Sequence, residues 1–272
     1  MEYEIKPKEK LSLGVEELWQ YRELFYFFTW RDIKVKYKQT VLGFAWAVLQ
    51  PFFMMVIFSL FFGQALKIPS DNLPYPVFVF SGLLLWNIFS SGVTSAGNSM
   101  VSNANIIKKI YFPRLIIPIS SILVSMFDFL MSIIIFIGML LYYHIHIEIL
   151  KIILFVPSGL IICCISTFGL GIFLAALNIK YRDFKYIIPF LVQSLLFITP
   201  VIYPVSILTH DFLKYIVALN PMYAAVSLFR SGIIDVPLQL NLIAISLCSG
   251  LAFLIVGLYY FRKTETYFAD LA

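Results

Sequence analysis

The chain of 272 residues is unusually apolar: 61% of its residues are hydrophobic, 13% are charged, and the formal net charge is +5. Soluble domains are nearer half apolar and about a quarter charged, so this composition excludes a disordered chain, a nucleic-acid-binding domain and most soluble enzymes. The mean hydropathy of +0.90 indicates an integral membrane protein. Aromatic residues make up 17% of the chain, an excess that needs its own explanation.

Six apolar stretches are each long enough for a transmembrane helix, which needs about 20 residues to cross a hydrocarbon core of about 30 Å. They predict an all-α integral membrane protein with one transmembrane domain over residues 1–272. Residues 1–41 are its N-terminal segment, 42–262 its six-span body and 263–272 its tail. The N-terminus lacks the apolar region of a cleaved signal peptide, so we expect the first span to direct insertion. The predicted spans are 43–66, 77–101, 115–143, 149–176, 186–204 and 238–261.

The basic residues are distributed unevenly between the two ends of these spans. Sixteen of the 20 Lys and Arg residues lie before span one, between spans two and three, between spans four and five, or after span six. Segments rich in Lys and Arg stay on the cytoplasmic side of a membrane. The distribution therefore predicts that both termini are cytoplasmic.

Residues 15–37 are apolar in part but do not form a span, because their unbroken apolar run covers only residues 24–28. On a helix, Glu16, Gln20 and Glu23 share one face, while Leu18 and Tyr21 fall on another. This pattern predicts an N-terminal amphipathic helix that lies in the cytoplasmic interface of the membrane. A soluble helix packed on a partner protein is the alternative.

Residues 205–236, between spans five and six, are also apolar and are interrupted by turn residues. Asn220 suits the N-cap of a helix, and Pro221 suits its first position. The pieces on either side of Asn220 have about 12–15 residues and are too short to span. They predict re-entrant or interfacial helices on the outer side of the membrane. A plain extracellular loop is the alternative.

Ionisable side chains are almost absent from the predicted spans, and Asp128 in span three is the only one that lies well inside. Ion-coupled carriers usually need several such groups, so one carboxylate gives that mechanism little support. Asp128 could line a transport pathway, or it could be a buried structural carboxylate.

No sequence pattern predicts a cofactor or catalytic site in the chain itself. There is no GxxxxGK[ST] phosphate loop, so work driven by a nucleotide must use another polypeptide. His144 and His146 are too few ligands for a zinc site. We expect neither a metal nor a catalytic residue set here.

The segment from Ser102 to Arg114 predicts a short helix, with Asn103 or Asn105 as its N-cap and Pro113 at its end. Ile106, Ile107, Ile110 and Phe112 are apolar although the segment also carries Lys108 and Lys109, and charge places it in the cytoplasm. An amphipathic helix outside the membrane is typical of a segment that docks into a groove on a partner. A helix lying flat on the lipid surface is the alternative.

Five segments, in the same order along the chain, resemble the membrane subunits of type-2 ABC exporters of polysaccharides and polyol phosphates. These are the O-antigen, teichoic-acid and capsule exporters of bacterial cytoplasmic membranes. The matching segments are residues 22–51, 75–87, 103–114 and 178–185, together with Thr199-Pro-Val-Ile-Tyr-Pro204.

The resemblance implies a homodimer of six-span subunits with two separate ATPase subunits, which hold the ATP and magnesium. Residues 15–37 would be the interface helix, and residues 205–236 the outer gate helices. The substrate would be a glycan carried on a polyprenyl diphosphate lipid. Contact with the ATPase would involve Asn103, Asn105, Ile106, Ile107, Lys108, Lys109, Ile110, Tyr111, Phe112, Arg182 and Asp183.

Spans one and five would line a channel at the dimer axis, where aromatic rings could stack on the apolar faces of sugars. The candidate lining residues are Phe52, Phe53, Phe58, Phe61, Phe62, Phe190, Phe197 and Tyr203. Each ring could instead face lipid, as aromatic residues of membrane proteins often do.

A basic cluster formed by Arg31, Lys34, Lys36 and Lys38 precedes span one, where the lipid diphosphate would approach. It could bind that headgroup, or it could hold anionic lipid and fix the topology. Two other functions are open: a type-2 ABC exporter of drugs or small lipids, and a membrane-embedded enzyme acting on polyprenyl phosphates.

Overall fold

The computed structural model describes residues 15–38, 40, 42–146, 148–234, 238–265 and 268, and all regular structure in these ranges is helical. A π-helical continuation, Ser59–Ala65, extends α3, and a 3₁₀ turn, Val205–Ile207, precedes α9. The α-helices are α1 (Val15–Gln20), α2 (Arg22–Lys38), α3 (Ala45–Phe58), α4 (Tyr75–Ser102), α5 (Ala104–Ile107), α6 (Ile116–Tyr142), α7 (Ile149–Lys180), α8 (Phe184–Ile198), α9 (Asp211–Leu219), α10 (Met222–Ser231) and α11 (Leu240–Glu265).

Five helices are long and apolar enough to cross a membrane, and they confirm predicted spans one to four and six. They are Ala45–Ala65, Tyr75–Ser102, Ile116–Tyr142, Ile149–Lys180 and Leu240–Glu265. Their ends lie within a few residues of the predicted ones, because each apolar run is bounded by charged or turn residues. The first of these helices runs unbroken through Pro51, and its departure from α geometry comes later, at Ser59.

The predicted fifth span, residues 186–204, is only partly helical. Helix α8 has 15 residues, which at 1.5 Å per residue gives about 22 Å, less than the thickness of a hydrocarbon core. It ends because Thr199 precedes Pro200 and adopts the extended backbone that proline imposes on its neighbour. A sixth candidate is the pair α9 and α10, if this pair, bent by 100°, counts as one span.

Helix α4 occupies the centre of the bundle and packs against α3, α6, α7, α8 and α10. Helix α7, which packs against α4, also packs closely against α11, because glycines without side chains lie where α7 and α11 cross. A Cβ atom at Gly257 would overlap the carbonyl oxygen of Gly169, and one at Gly169 would lie 2.6 Å from the Leu254 nitrogen. Small residues allow such close helix contacts in membranes.

The helices define two ends of the bundle. The proximal end carries α2, the loop 103–115 and the turn between α7 and α8. The distal end carries the loop 66–74 and the pair α9 and α10. At the bend of that pair, the Met222 amide donates to the side-chain oxygen of Asn220 at 3.0 Å, which confirms the predicted capping role of this residue.

Candidate coupling surface and substrate path

The loop at the proximal end contains only one helical turn, α5, which is shorter than the predicted helix over residues 103–112. Asn103 precedes this turn, but its amide donates to the Ser99 carbonyl of α4 at 2.8 Å instead of capping α5. Its side-chain oxygen accepts a hydrogen bond from Arg31 of α2 at 2.9 Å. Asn103 therefore joins α2 to the end of α4 and fixes where the loop leaves the bundle.

The predicted ATPase-contact residues of this loop divide into an inner and an outer set. Ile107 and Phe112 are buried, and the Phe112 ring lies 5.6 Å from that of Phe28 on α2. Ile106 is half-buried. The outer set, here called the coupling face, is exposed and consists of Asn105, Lys108, Lys109, Ile110 and Tyr111. Exposed apolar side chains next to lysines are typical of a protein-docking surface.

The second predicted contact segment lies beside the first. Arg182 and Asp183 are exposed in the turn between α7 and α8. A cleft of about 610 Å³ separates this turn from α5, with Ala104 and Arg182 among its lining residues. Asn178 holds the two sides together, because its amide donates to the Gly97 carbonyl of α4 at 2.9 Å.

Asp128, whose role the sequence left open, makes a structural contact with α2. The Lys36 ammonium lies 2.5 Å from its carboxylate, and the Tyr37 hydroxyl donates to the other carboxylate oxygen. Burial, followed by this hydrogen bond, raises the pKa of the Tyr37 phenol, so the phenol keeps its proton and acts as a donor. The three residues fasten the end of α2 to the middle of α6.

The four residues of the predicted basic cluster on α2 are not equivalent. Arg31 bonds to Asp32 and Asn103, and Lys36 pairs with Asp128. Lys34 and Lys38 are exposed, and among the described residues neither forms an ion pair. The Lys34 ammonium lies 5.3 Å from the centroid of the Trp30 ring. Within the predicted cluster, Lys34 and Lys38 are therefore the cations available to a lipid headgroup.

The candidate channel aromatics occupy different environments on α3 and α8. Phe58 is buried and packs edge-to-face against Phe62. Phe52, Phe62 and Tyr203 are half-buried, and the Tyr203 hydroxyl donates to the carbonyls of Phe197 and Ile198. Four rings are well exposed and are together called the aromatic surface here: Phe53 on α3, Phe61 on its π-helical continuation, and Phe190 and Phe197 on α8.

Arg230 at the distal end is a buried cation that the sequence analysis counted only as an outer basic residue. Its guanidinium donates to the carbonyls of Pro200 at 2.6 Å, Val201 at 2.9 Å and Phe78 at 3.0 Å. It also donates to the Ser81 hydroxyl and stacks 3.6 Å from the centroid of the Phe78 ring. Arg230 thus links α10 to the turn after α8 and to the start of α4. A lone arginine in an apolar helix was the signal in the sequence.

These features define a class: a multi-pass helical membrane protein with an exposed basic loop at one end and a bent helix pair at the other. Comparison with known proteins identifies the family. A family model described as ABC-2 type transporter matches residues 23–234. The chain therefore belongs to the ABC-2 type transporter family, as its resemblance to type-2 ABC permeases predicted, and it is a membrane subunit of a transporter.

Curated relatives match most of the chain. An O-antigen export system permease protein RfbA from Klebsiella pneumoniae is 29% identical over 249 residues, which cover 92% of this chain and 95% of the relative. The protein of the same name from Myxococcus xanthus is 30% identical over 80% of this chain and 82% of its own length. The polysialic acid transport protein KpsM from Escherichia coli is 24% identical over 86% and 91%.

Proposed function

We propose that the chain is the membrane-spanning subunit of an exporter that moves a polyprenyl-diphosphate-linked polysaccharide across the bacterial cytoplasmic membrane. The observation that carries this proposal is the match to permeases named for O-antigen and polysialic acid export, which extends over most of each chain. The family and the apolar helices support a subunit that forms the pathway and leaves ATP hydrolysis to a separate polypeptide.

The coupling face supports an ATPase partner. In this proposal the proximal end and both termini face the cytoplasm, as the distribution of Lys and Arg predicts. Two ATPase subunits, which hold ATP and magnesium, would dock on the coupling face and on Arg182 and Asp183. Helices α1 and α2 would lie in the cytoplasmic interface of the membrane.

The exposed aromatic surface supports a second copy of the chain as partner. Most membrane and soluble oligomers of one chain are symmetric, and a two-fold axis is the commonest arrangement. Two copies related by such an axis would face each other with α3 and α8 and form a channel lined by aromatic rings. Helix α8 and the turn after it would form the fifth of the six spans. Helices α9 and α10 would be the outer gate helices.

Reconstitution tests the proposed function. The chain would be purified with its ABC ATPase partner, which is sought among the neighbouring genes, and inserted into vesicles with polyprenyl-linked glycan extracted from the producing cells. We expect the glycan lipid to stimulate ATP hydrolysis and to cross the bilayer, as measured by its accessibility to a glycosidase. A fluorescent hydrophobic dye serves as the second substrate. Transport of the dye without transport of the glycan would instead establish a drug or small-lipid exporter.

The coupling face can be tested separately with Ile110→Asp. Ile110 is 62% exposed, so a carboxylate there leaves the fold intact but places an unpaired charge in the docking surface. We expect the affinity for the ATPase to fall by about tenfold or more, which corresponds to about 1.4 kcal/mol. Association is measured by co-purification and by light scattering.

The matched control is Ile207→Asp, the same chemical change at an exposed position of the distal end. It should leave ATPase association unchanged. Equal association of both variants with the ATPase would show that the loop 103–112 is not the docking segment.

A further inference from the structure

A cleft of about 380 Å³ opens beside α4, between α3, α6, α8 and the end of α2. This volume lies in the range of about 300–1,000 Å³ that is typical of small-molecule sites. The lining contains many polar side chains although it lies alongside an apolar span, and these include Gln50, Asn87, Ser90, Thr94, Ser95 and Asp128.

The polar residues of α4 that line the cleft lie on the face of the helix that the rest of the chain leaves partly uncovered. Leu85, Phe89 and Val93 are fully buried in the bundle, whereas Thr94 is partly exposed and Ser95 is exposed. A helix that faced lipid here would expose the apolar residues and bury the polar ones. Polar side chains at membrane depth normally face a water-filled cavity or another polar group.

Four polar side chains of the cleft leave their hydrogen-bonding groups unused. Ser91 donates to the carbonyl of Asn87 in its own helix. Across the described part of the chain, by contrast, the side chains of Gln50, Asn87, Thr94 and Ser95 have no hydrogen-bond partner. Polar groups inside proteins are almost always paired, so the amides and hydroxyls in this cleft are available to water or to a ligand.

The charges in the cleft cancel. Its cation, Lys36, lies 2.5 Å from its carboxylate, Asp128. A diphosphate would find no unpaired positive charge here, whereas a neutral ligand rich in hydroxyl groups would find both donors and acceptors. Trp46, 48% exposed at the rim, adds an aromatic face of the kind that stacks on the C–H face of a sugar ring.

We propose that this cleft is a sugar-binding site, which holds one or two neutral sugar units of the glycan against α4 beside the aromatic surface of α3 and α8. The inference rests on the proposed function and adds a residue-level site to it. Amides and hydroxyls of α4 would exchange hydrogen bonds with sugar hydroxyls, while the diphosphate lies outside the cleft.

Thiol accessibility tests the site in the complete complex with its ATPase, without ATP. Ser95→Cys is introduced after Cys164→Ala and Cys248→Ala, and the parent with buried Cys163 gives the background. The control is Leu123→Cys, which is also about two turns from the proximal end, on α6, and partly exposed. A positively charged thiosulfonate reagent needs water and a thiolate, so it should modify Ser95→Cys at least about tenfold faster than the control.

The second measurement adds ligands. Polyprenyl-linked glycan extracted from the producing cells should slow modification of Ser95→Cys by about fivefold or more when it is present at several times its Kd. Polyprenyl diphosphate without the glycan should not slow it. The control position should react equally with and without either lipid.

Three outcomes would overturn the proposal. Equal slow modification at both positions would show a dry cleft, closed by helix packing in the dimer. Equal protection by the bare polyprenyl diphosphate would show a headgroup site. Rapid modification without protection by the glycan lipid would show that sugar does not bind here. Because protection is measured without ATP, it is independent of the export assay, and failure of export alone would refute only the proposed function.

Discussion

Helix α4 and the first span, which consists of α3 and its π-helical continuation, are both apolar enough to cross a membrane, but their surroundings differ. In the most apolar window of α4, 78% of residues are buried inside the chain, compared with 11% in that of the first span. The side chains of α4 and its neighbour α7 are therefore selected by packing within one subunit. The exposed rings of α3 and α8 have no such constraint, and their chemistry reflects what lies outside the subunit: lipid, a second copy or substrate.

The largest loss of stability is expected in the interior, from Gly169→Val. A side chain at Gly169 would meet the backbone of α11 at Leu254, and overpacking of this kind costs about 3 kcal/mol. We expect a large fall in the unfolding temperature in detergent, measured by tryptophan fluorescence and size-exclusion chromatography. Gly138→Val is the control, because nothing lies within 4 Å of its added Cβ. Similar melting of both variants would contradict the tight crossing of α7 and α11.

The next largest effect is expected from Arg230→Met at the distal end, which removes four hydrogen bonds and leaves buried carbonyls unpaired. The Phe78 carbonyl still accepts a hydrogen bond from Ser81, so the carbonyls of Pro200 and Val201 lose their donor. We expect a loss of about 2 kcal/mol, the lower end of the range of about 1–3 kcal/mol for each buried group left without a partner. Arg230→Lys keeps the charge but has fewer donors in a different geometry, and should recover only part of the loss. The measurement is the free energy of unfolding in denaturant. Full recovery with lysine would show that charge, and not the hydrogen-bond geometry, matters.

A smaller effect is expected where the bundle meets α2, from Asp128→Asn. The variant loses the ion pair with Lys36, worth about 1 kcal/mol because Lys36 is 44% exposed. The end of α2 should become more accessible to protease, with a small fall in melting temperature. The control, Asp211→Asn, removes the exposed pair with Lys214 and should change neither property. Unchanged proteolysis of α2 in Asp128→Asn would show that α2 is held by other contacts.

The smallest change in stability, with the clearest change in transport, is expected from Phe53→Ala combined with Phe190→Ala. Both rings are exposed, and surface substitutions usually change stability by less than about 0.5 kcal/mol. The rate of glycan export in vesicles should fall while melting stays constant. Phe253→Ala on α11, also partly exposed, is the control. Equal export by all these variants would assign the α3 and α8 rings to lipid contact.

The long helices could be predicted from the sequence because membrane depth fixes the length of an apolar run. The end of α8 could not be placed so well. Residues 186–204 are apolar throughout, and only the pair Thr199-Pro200 marks the change from helix to turn. Hydropathy is averaged over a window of residues, so it does not detect the end of a helix that a single proline causes.

Side-chain partners in the site were harder to predict than helices. Phe53 and Phe58 are the same residue type on the same helix, but Phe53 is exposed and Phe58 is buried. The sequence could not distinguish them, because a uniformly apolar helix has no polar face that shows which side points outward. Asp128 meets Tyr37 across 91 positions of sequence, a contact that packing alone determines. Arg230 lies in a segment predicted as short re-entrant or interfacial helices, and no pattern in the sequence places its guanidinium against the carbonyls of Pro200 and Val201.

The bend between α9 and α10 has a mechanical consequence. Its apex, Asn220, donates to the Thr199 hydroxyl at 2.7 Å and accepts, through its carbonyl, a hydrogen bond from Ser246 of α11. The apex is thus anchored to the end of α8 and to α11. The pair therefore cannot shift relative to either helix without breaking one of these hydrogen bonds.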